Sequence, residues 1–573
     1  MSDAGSLSIT VPEGFTLHTE NTSHILISSK EEAFLNPVQE FNRDLSVACI
    51  RVWSEELNRE KEAKWKQAQE RRAKREADAD AKAGRQKNQK KPKTESSEQS
   101  NGPEDDSPGD DPATGSTLSE VNKREVGSLI FCNDTAEHSP KYRPHKFVLL
   151  EALSATGLRS IRYAKEIPLV RFVFEFCEKA YISSPSRFVI ANDLSASATA
   201  AMKRNVELNG LGPSSDPAES ASSTSTVSEH QPHDHGKVRI NEGDACALMY
   251  NHRTEKTRVD VVDLDPYGTA APFIDGAALR LVLHTLSTSA SRYGRYIEPQ
   301  LSLSIDFYVR LFVRIHSAPI EVKKVASKTA MYYICQGCQS FYEQPLGRMI
   351  EKVHERSGNV NLLFKTQAGP PVGQKCTECG SAQHIAGPMW SGPLHNNNFL
   401  SKVLEHLESN QGKYGTAVRM RGMLTVAKEE LHVPFYFTPS RIAGLFHSIC
   451  PPLDDVASAL LNAGHRVSRS HALAGSLKTD ATRQDVHDVF RSWVKKHPVR
   501  MDKISETSLA RQLLAKEARQ LCRTEANFTR HPQSVTQASK VKLVRYQQNP
   551  APNWGPGMKA DSGTKRKREE EDE

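Results

Sequence analysis

Long apolar runs are absent from this sequence of 573 residues. No stretch approaches the ~18–20 consecutive apolar residues that a bilayer-spanning helix needs, so we expect no membrane span. The start, residues 1–5, also lacks the basic-then-apolar pattern of a secretory signal. We therefore expect neither membrane insertion nor secretion.

Cysteine is also scarce, with ten residues in this length. Four of the cysteines form two Cys-x-x-Cys pairs, Cys335 with Cys338 and Cys376 with Cys379. This spacing is typical of two knuckles that present four thiolates to one metal ion, and it leaves no ligand position open for water. Four unliganded cysteines are the alternative, and a disulfide framework is disfavoured.

The net charge of +7 hides a segmented pattern. Residues 55–93 carry fourteen Lys or Arg against eight acids, and residues 94–120 carry eight acids and no base. Because these stretches hold almost no aliphatic side chains, they cannot bury enough surface to offset chain entropy. We predict a solvated helix that frays into a disordered charged insertion, bounded at residues 55–127.

The largest basic excess lies in residues 481–545, with fourteen bases and six acids. These bases are interleaved with Phe490, Trp493 and Phe528, and such a surface is suited to neutralising phosphates and stacking bases. A charged helical face with ordinary core aromatics is the alternative. Residues 565–568, Lys-Arg-Lys-Arg before an acidic tail, indicate nuclear import.

Apolar runs alternate with helical patterns between these insertions, which predicts a parallel sheet covered by helices. Four runs, in residues 146–151, 188–193, 237–245 and 259–265, are each predicted to form a strand that ends near an acid. A loop of small residues follows the first strand, and a helix is predicted from Leu158.

The acids at these strand ends predict a nucleoside pocket, because ligands of open α/β sheets bind at the carboxyl ends of the strands. Asp193 suits the ribose hydroxyls, Asp244 suits an adenine amine, and the Ala245 N–H suits a ring nitrogen. The first loop has Gly157 but lacks the full G-x-G-x-x-G pattern, which favours S-adenosylmethionine over a dinucleotide. A helix N-cap is the alternative role for each acid.

The chemistry is predicted at Asp265-Pro266-Tyr267-Gly268. An exocyclic amine of a nucleobase is a poor nucleophile, because its lone pair is delocalised into the ring. The Asp265 carboxylate and the Pro266 carbonyl can accept the two amine hydrogens, and Tyr267 can stack on the base. A simple turn is the alternative, since Asp, Pro and Gly all favour turns.

Five sequence strings carry a family resemblance. They are residues 34–44 (FLNPVQEFNRD), 151–159 (EALSATGLR), 192–193 (ND), 243–245 (GDA) and 263–268 (DLDPYG). Together they resemble the tRNA guanine-N2 dimethyltransferases that act on guanine 26. The resemblance implies a class I S-adenosylmethionine-dependent methyltransferase domain of the α/β, Rossmann-like class. It also implies two successive methylations of one amine.

The resemblance also implies roles for individual side chains. It places the donor at Arg43, Arg159, Asp193, Asp244 and Ala245, the catalytic carboxylate at Asp265, and an aromatic that holds the target base at Phe34. Without the resemblance, Arg43 and Arg159 are expected to be helix surface charges, and Phe34 a core residue. For the four cysteines the resemblance implies a structural zinc ion.

The domain order expected from these observations has a methyltransferase domain followed by an α+β C-terminal tRNA-binding domain with a zinc ribbon-like insert. Flipping the guanine out of its stack costs a few kcal/mol, and contacts from a large RNA-binding domain are expected to offset that cost. The expected bounds are 1–54 for an N-terminal segment that contributes to donor and base binding, 55–127 for the insertion, 128–316 for the methyltransferase domain with a disordered loop at 213–236, 317–556 for the C-terminal domain and 557–573 for a disordered tail.

One departure from the family pattern follows the Asp-Pro-Tyr-Gly motif. There the family continues through a helix and another buried strand before the helix that matches residues 278–283. In this sequence residues 273–276 run almost directly into that helix. We therefore predict a sheet that lacks its fifth strand. The apolar runs in residues 301–315 can close the gap only if the strand order shifts.

Three functions stay open at this point. The first is tRNA guanine-N2 dimethylation, the second is adenine-N6 methylation of nucleic acid, and the third is RNA binding by a catalytically impaired chain. The first predicts tRNA as partner and S-adenosylmethionine and zinc as cofactors. A monomer located in the nucleus is expected, with a mitochondrial share left open.

Overall fold

The computed structural model of the chain describes residues 9–28, 35–87, 142–171, 187–213, 236–265, 277–305, 308–516 and 525–541. The chain divides into two compact units, one of residues 1–55 and 146–573 and the other of residues 56–145. Among the helices of the described ranges, none combines the length and the apolar character that crossing a bilayer requires.

The first half of the chain contains eight strands and six helices in its described part. The strands are β1 (Phe15–Glu20), β2 (Ser23–Ser28), β3 (Val148–Glu151), β4 (Phe188–Asp193), β5 (Val238–Glu242), β6 (Val261–Asp263), β7 (Arg295–Ile305) and β8 (Tyr308–Ser317). The helices are α1 (Glu40–Lys87), α2 (Leu158–Glu166), α3 (Pro168–Arg171), α4 (Ala196–Leu208), α5 (Ala245–Asn251) and α6 (Ala277–Ser291).

The second half contains seven further strands and eight further helices in its described part. The strands are β9 (Thr329–Cys335), β10 (Phe341–Pro345), β11 (Gly347–Val353), β12 (Val360–Thr366), β13 (Gln383–Trp390), β14 (Val467–Arg469) and β15 (Leu477–Thr479). The helices are α7 (Pro319–Lys323), α8 (Asn397–Ser409), α9 (Ala417–Glu429), α10 (Pro439–Leu445), α11 (Leu453–Asn462), α12 (Arg483–Lys496), α13 (Leu509–Ala515) and α14 (Gln537–Lys540).

A four-stranded parallel sheet forms the centre of the first half, in the order β5-β4-β3-β6. Its strands are the four predicted runs, and its aliphatic side chains, such as Leu149, Leu150 and Val189, are buried. The chain moves from β3 through β4 to β5 on one side and returns to β6 on the other. This reversal beside β3 creates the crevice in which ligands of such sheets bind.

The sheet stops at β6 within the described part of the chain, which agrees with the predicted loss of a strand. The next two strands, β7 and β8, pair only with each other and form a separate antiparallel hairpin. In the edge strand and directly after it, Val262 and Leu264 are exposed by 43% and 52%. The apolar runs in residues 301–315 therefore do not extend the parallel sheet, and residues 266–276 lie outside the described ranges.

Helix α1 extends to Lys87, which confirms the predicted solvated helix and shows that the expected disorder does not begin at residue 55. Ion pairs at i,i+4 spacing, Lys66 with Glu62 and Arg72 with Glu76, support its exposed second half. The rest of the expected insertion, residues 88–127, lies outside the described ranges, as does most of the expected loop at 213–236.

The C-terminal half combines small antiparallel sheets with helices. Strands β10, β9 and β13 form a three-stranded sheet, and β11 pairs with β12. Helices α10, α11 and α12 pack around a core that includes Phe446, Val456 and Phe490. Phe490 is fully buried there. Its predicted place in a base-stacking surface is wrong, because this face of α12 is the one that packs.

Two buried histidines cover the outer edge of β7. The backbone N–H of Ser302 donates to Nδ1 of His395 (3.3 Å), and that of Ser304 donates to Nε2 of His471 (3.1 Å). His471 Nδ1 in turn contacts Glu430, whose other oxygen lies 2.7 Å from Nζ of Lys478. His395, His471 and Glu430 are three possible metal ligands that lie close together. The Lys478 ammonium, however, already provides a positive charge beside Glu430.

Because His395 is buried beside Ser302, we predict that the folded protein is less stable in acid. Burial lowers the pKa of His395 from 6.5 to about 4. Between these values the unfolded chain takes up a proton that the folded chain does not, so stability is complete above about pH 6.5 and falls toward pH 4. This linkage predicts a loss of ~2 kcal/mol in the free energy of unfolding between pH 7 and pH 5.

Urea unfolding at these two pH values measures the loss. His395→Gln retains an acceptor and a donor but does not titrate, so its free energy of unfolding should change less between pH 7 and pH 5. The exposed His384 provides the matched control, and His384→Gln should behave like the parent protein. Equal pH dependence in the parent and in His395→Gln would contradict the assignment.

Candidate active site and metal centre

Asn192, the penultimate residue of β4, connects three strand ends. Its side-chain N–H donates to the carbonyls of Ala152 (2.9 Å) and Gly243 (3.1 Å), and its side-chain oxygen accepts from the Asn241 amide (2.6 Å). Asn192 is fully buried, so these bonds do not compete with water. The loops after β3 and β5 are therefore fixed against β4, at the carboxyl edge where the sequence predicts the pocket.

Asp193 ends β4 and organises the loop that follows β3. Its Oδ2 accepts from the backbone N–H of Ala155 (2.9 Å), and its Oδ1 accepts from that of Ser195 (3.0 Å). The loop then enters α2 through Gly157, which has a φ of +78°. An ionised carboxylate offers about four acceptor positions, so these two bonds leave Asp193 able to accept from a ligand.

Asp244 and Ala245 lie at the start of α5. Asp244 is the N-cap of this helix, and its Oδ2 accepts from the backbone N–H of Ala247 at 2.9 Å. The capping role that the sequence leaves open is thus present, and it occupies one oxygen of an exposed carboxylate. Ala245 is the first residue of the helix, where backbone N–H groups have no acceptor within the helix.

Two arginines and two aspartates meet at the carboxyl end of β6. We call Arg159, Asp263, Asp265 and Arg310 the acid–arginine cluster. Arg159 faces Oδ2 of both aspartates, with Nη1 3.1 Å from Asp263 and Nη2 2.5 Å from Asp265. Arg310 faces Oδ1 of both, with Nη2 2.9 Å from Asp263 and Nη1 3.8 Å from Asp265. Each carboxylate is therefore flanked by one guanidinium on each oxygen.

The two aspartates of the cluster differ in exposure. The side chain of Asp263 is 6% exposed, whereas that of Asp265 is 42% exposed. Burial alone would raise the pKa of Asp263, but the charges of Arg310 and Arg159 outweigh it and hold that pKa well below its usual range. The Tyr163 hydroxyl also donates to Asp263 at 2.5 Å. Asp263 is thus a fixed anion, and Asp265 is the carboxylate that a ligand can reach.

Glu151, at the end of β3, is a third acid beside this cluster. Burial raises its pKa to about 7, against the opposing charge of Arg159, whose Nε lies 3.9 Å away. Ser160 donates a hydrogen bond to Glu151. The raised pKa favours the neutral form of Glu151, in which the two guanidiniums balance the two aspartates.

Arg43 lies in a different buried group. Its Nε donates to Glu20 at 2.8 Å, and its Nη1 donates to the Asn36 carbonyl at 3.1 Å. Arg162 contacts the same Glu20 (3.2 Å) and also Asp44 (2.7 Å). The alternative that Arg43 and Arg159 are helix surface charges is wrong, because both are buried in ion pairs. A part for Arg43 in donor binding stays a prediction.

Three of the predicted site residues, Phe34, Pro266 and Tyr267, lie outside the described residues. The structure adds three others that the sequence reasoning did not assign: Asp263, Tyr163 and Arg310. Asp263 had a visible signal, since it belongs to the same Asp-Leu-Asp string as Asp265. Arg310 and Tyr163 had none, because a charge in a strand and an aromatic in a helix are both common.

The four cysteines converge in the C-terminal half. Sγ of Cys335 lies 3.3 Å from Sγ of Cys379, and Sγ of Cys338 lies 3.6 Å from Sγ of Cys376. These distances are far longer than the ~2.05 Å of a disulfide bond. All four sulfur atoms are buried and lie within 4.8 Å of one another, which is the arrangement that one tetrahedral ion requires.

A family comparison finds a match over most of this chain. The model of the N2,N2-dimethylguanosine tRNA methyltransferase family matches residues 13–279 and 276–491. The two matched segments overlap at residues 276–279.

Individual relatives match over nearly the whole chain. The tRNA (guanine(26)-N(2))-dimethyltransferase of Schizosaccharomyces pombe is 35% identical and covers 94% of this chain and 92% of its own length. The Mus musculus protein of the same name is 34% identical over 96% of this chain and 77% of its own. The mitochondrial form of Saccharomyces cerevisiae is 34% identical over 95% and 92%.

These alignments are longer than the chain itself. They extend over 591 positions for the Schizosaccharomyces protein and 609 for the Saccharomyces protein, against 573 residues here. The relatives therefore contain stretches that this chain lacks.

Among solved structures, Trm1 from Pyrococcus horikoshii with S-adenosyl-L-methionine has a TM-score of 0.47 at 18% identity, over 82% of this chain and 98% of that chain.

The loop before α2 gives a direct stability prediction. Gly157 has a positive φ, and a Cβ added there would lie 3.0 Å from Cγ of Met202. We expect Gly157→Ala to lower the free energy of unfolding by ~2 kcal/mol, from backbone strain plus crowding. Gly210 has a φ of +64° but nothing within 4 Å of an added Cβ. Gly210→Ala should therefore lose only ~1 kcal/mol, from backbone strain alone. If urea unfolding shows that the two variants lose equal free energies of unfolding, crowding against Met202 does not contribute to the loss.

Proposed function

Because the chain belongs to the N2,N2-dimethylguanosine tRNA methyltransferase family, we propose that it methylates the N2 amine of guanine 26 in tRNA, with S-adenosylmethionine as donor. The observation that carries the proposal is the half-exposed Asp265 carboxylate at the rim of a parallel sheet, beside the polar groups of a nucleoside crevice. Two successive transfers to one amine yield the dimethylated base.

The residues of the crevice fit the donor chemically. Asp193 retains acceptor capacity for ribose hydroxyls, and the exposed Asp244 has a second carboxylate oxygen for an adenine amine. The first N–H groups of α5, from Ala245 onward, are donors for a ring nitrogen. When bound, S-adenosylmethionine supplies a methyl group on a sulfonium sulfur. Arg159 is a cation within this crevice that can pair with the carboxylate of the donor.

The geometry supports a direct transfer in which Asp265 acts as the acceptor of the amine proton. Asp265 can accept a hydrogen bond from the N2 amine and so direct the nitrogen lone pair toward the methyl carbon. As the nitrogen–carbon bond forms and the carbon–sulfur bond breaks, the carboxylate takes the proton that the nitrogen loses. In this proposal the Pro266 carbonyl accepts the second amine hydrogen, and Tyr267 and Phe34 hold the base.

The C-terminal half offers a surface for the tRNA. Trp493 packs against Phe528 with ring centroids 5.3 Å apart, and Nζ of Lys496 lies 4.8 Å from the centre of the Phe528 ring. Lys495 and Arg500 are exposed nearby along the chain. Cations and partly exposed rings of this kind suit phosphates and unstacked bases, which supports the proposed C-terminal tRNA-binding domain at 317–556.

A zinc ion at the four cysteines completes the proposal. The chemistry of the donor set, four buried thiols with converging sulfur atoms, fits structural zinc and leaves no position for a catalytic water. These cysteines belong to the same core as Phe446 and Phe490, so the ion would stabilise the C-terminal half.

The location of the protein remains a proposal as well. Residues 565–568 suit nuclear import, and the name of the Saccharomyces relative includes a mitochondrial form. The monomeric state and the domain bounds at 54, 127, 316 and 556 likewise stand as predictions.

Of the other two functions, adenine-N6 methylation is not favoured, because the relatives are named as guanine enzymes. RNA binding without catalysis keeps one specific observation in its favour, the parallel sheet, which ends at β6 within the described residues. Calorimetry with S-adenosylmethionine separates the two remaining cases. A chain that binds tRNA but gives no heat with the donor is the outcome that contradicts the proposed enzyme.

Asp265→Asn tests the proposed catalytic role. The amide has nearly the shape of the carboxylate but cannot take the proton, so we expect kcat to fall by roughly 10²–10⁴-fold with donor binding retained. Methyl transfer to unmodified tRNA, followed by nucleoside digestion, measures the loss. Glu255→Gln makes the same charge change at an exposed residue before β6 and should retain activity. An Asp265→Asn protein as active as its parent would refute the role.

Cys338→Ser tests the proposed metal. We expect about one zinc ion per chain in the parent protein, almost none in the variant, and a lower melting temperature. Cys450→Ser, at an exposed cysteine away from the four, should retain both the zinc and the melting temperature. Mass spectrometry measures the zinc content. If the parent protein is purified without zinc and melts cooperatively at the same temperature as the zinc-loaded protein, the proposed zinc site is contradicted.

A further inference from the structure

We propose that Arg310 is a positioning residue that sets the orientation of the Asp265 carboxylate, a proposal that rests on the proposed function of Asp265. Arg310 lies on β8, outside the parallel sheet, and its guanidinium reaches the carboxyl end of β6. One guanidinium nitrogen lies 2.9 Å from Oδ1 of Asp263 and the other 3.8 Å from Oδ1 of Asp265.

Asp265 needs such support because its own backbone provides little. It lies two residues beyond the end of β6, and its side chain is 42% exposed. The terminal torsion of an aspartate is broad, so a carboxylate held at one oxygen can still turn about its last bond. Arg159 holds only Oδ2, at 2.5 Å. A second cation 3.8 Å from Oδ1 attracts that oxygen without a hydrogen bond and so favours one plane of the carboxylate.

Arg310 is more than the counter-ion of Asp263. That aspartate already has Arg159 at 3.1 Å and the Tyr163 hydroxyl at 2.5 Å. Nη2 of Arg310 is occupied by Asp263 and by Oγ of Ser46, at 2.5 Å. Nη1 is left to face Asp265. A planar guanidinium can span both carboxylates in this way, whereas a lysine has one nitrogen and cannot.

The position of Arg310 is itself fixed by the hairpin. Arg310 is opposite Leu303 in the β7–β8 register, and the residues on either side of Leu303 donate their N–H groups to His395 and His471. Strand β7 is thus held by β8 on one edge and by the C-terminal half on the other. The side chain of Arg310 extends from this fixed strand pair to the end of β6.

Arg310→Gln and Arg310→Lys test the proposal. Both should bind S-adenosylmethionine and tRNA as the parent does, and both should lower kcat by ~10–100-fold with KM for tRNA unchanged, because the carboxylate is misaligned.

Arg314, four residues along the same strand and opposite Glu298, is the matched control. Arg314→Gln should retain the parent kcat and the parent KM for tRNA. Folding is checked by thermal melting, and if Arg310→Gln does not fold, Arg310→Lys decides the matter. A folded Arg310→Lys or Arg310→Gln protein with the parent kcat overturns the proposal.

The test is separable from that of the proposed function. If Asp265→Asn is inactive and the Arg310 variants are fully active, the positioning role fails and the catalytic role of Asp265 stands. If Asp265→Asn is as active as the parent, the proposed function fails first, whatever the Arg310 variants do.

Discussion

Two carboxylates side by side at the end of one short strand repel each other, and the candidate site is built around balancing that repulsion. Asp263 is buried, so it needs a fixed positive partner to remain ionised at all. Arg159 and Arg310 meet that need from two different directions, one from the helix after β3 and one from the hairpin. Because each arginine also reaches Asp265, the same two charges that stabilise the buried acid also hold the exposed one.

Local patterns were enough to predict the sheet but not the cluster. Strand β4 ends at Asp193 and helix α2 begins at Leu158, as the sequence pattern predicts, since such runs and their ends depend on neighbouring residues. The two Cys-x-x-Cys pairs predicted converging sulfur atoms for the same reason. Arg310 and Asp263 are distant in the chain, and only the tertiary fold brings them together. Phe490 shows the opposite error, because a basic aromatic stretch does not reveal which face of its helix is packed.

The end of the parallel sheet at β6 changes how this sheet is connected to the β7–β8 hairpin. Strands β6 and β8 share no backbone pairing in the described part of the chain, yet Arg310 joins them through its side chain. Charge contacts of this kind depend on a few atoms, whereas a strand ladder distributes its hydrogen bonds over many residues. The relatives, whose alignments exceed the length of this chain, contain additional residues that this chain does not.

The imidazoles that cover β7 have a consequence for self-association. An open strand edge attracts any passing strand with matching hydrogen-bond groups, and natural proteins usually block such edges with charge or with curvature. Here two ring nitrogens, supplied by separate segments, accept the N–H groups at Ser302 and Ser304 and act as a substitute for a neighbouring strand. Those two N–H groups are already paired within the chain, so β7 does not present them to the edge strand of a second molecule.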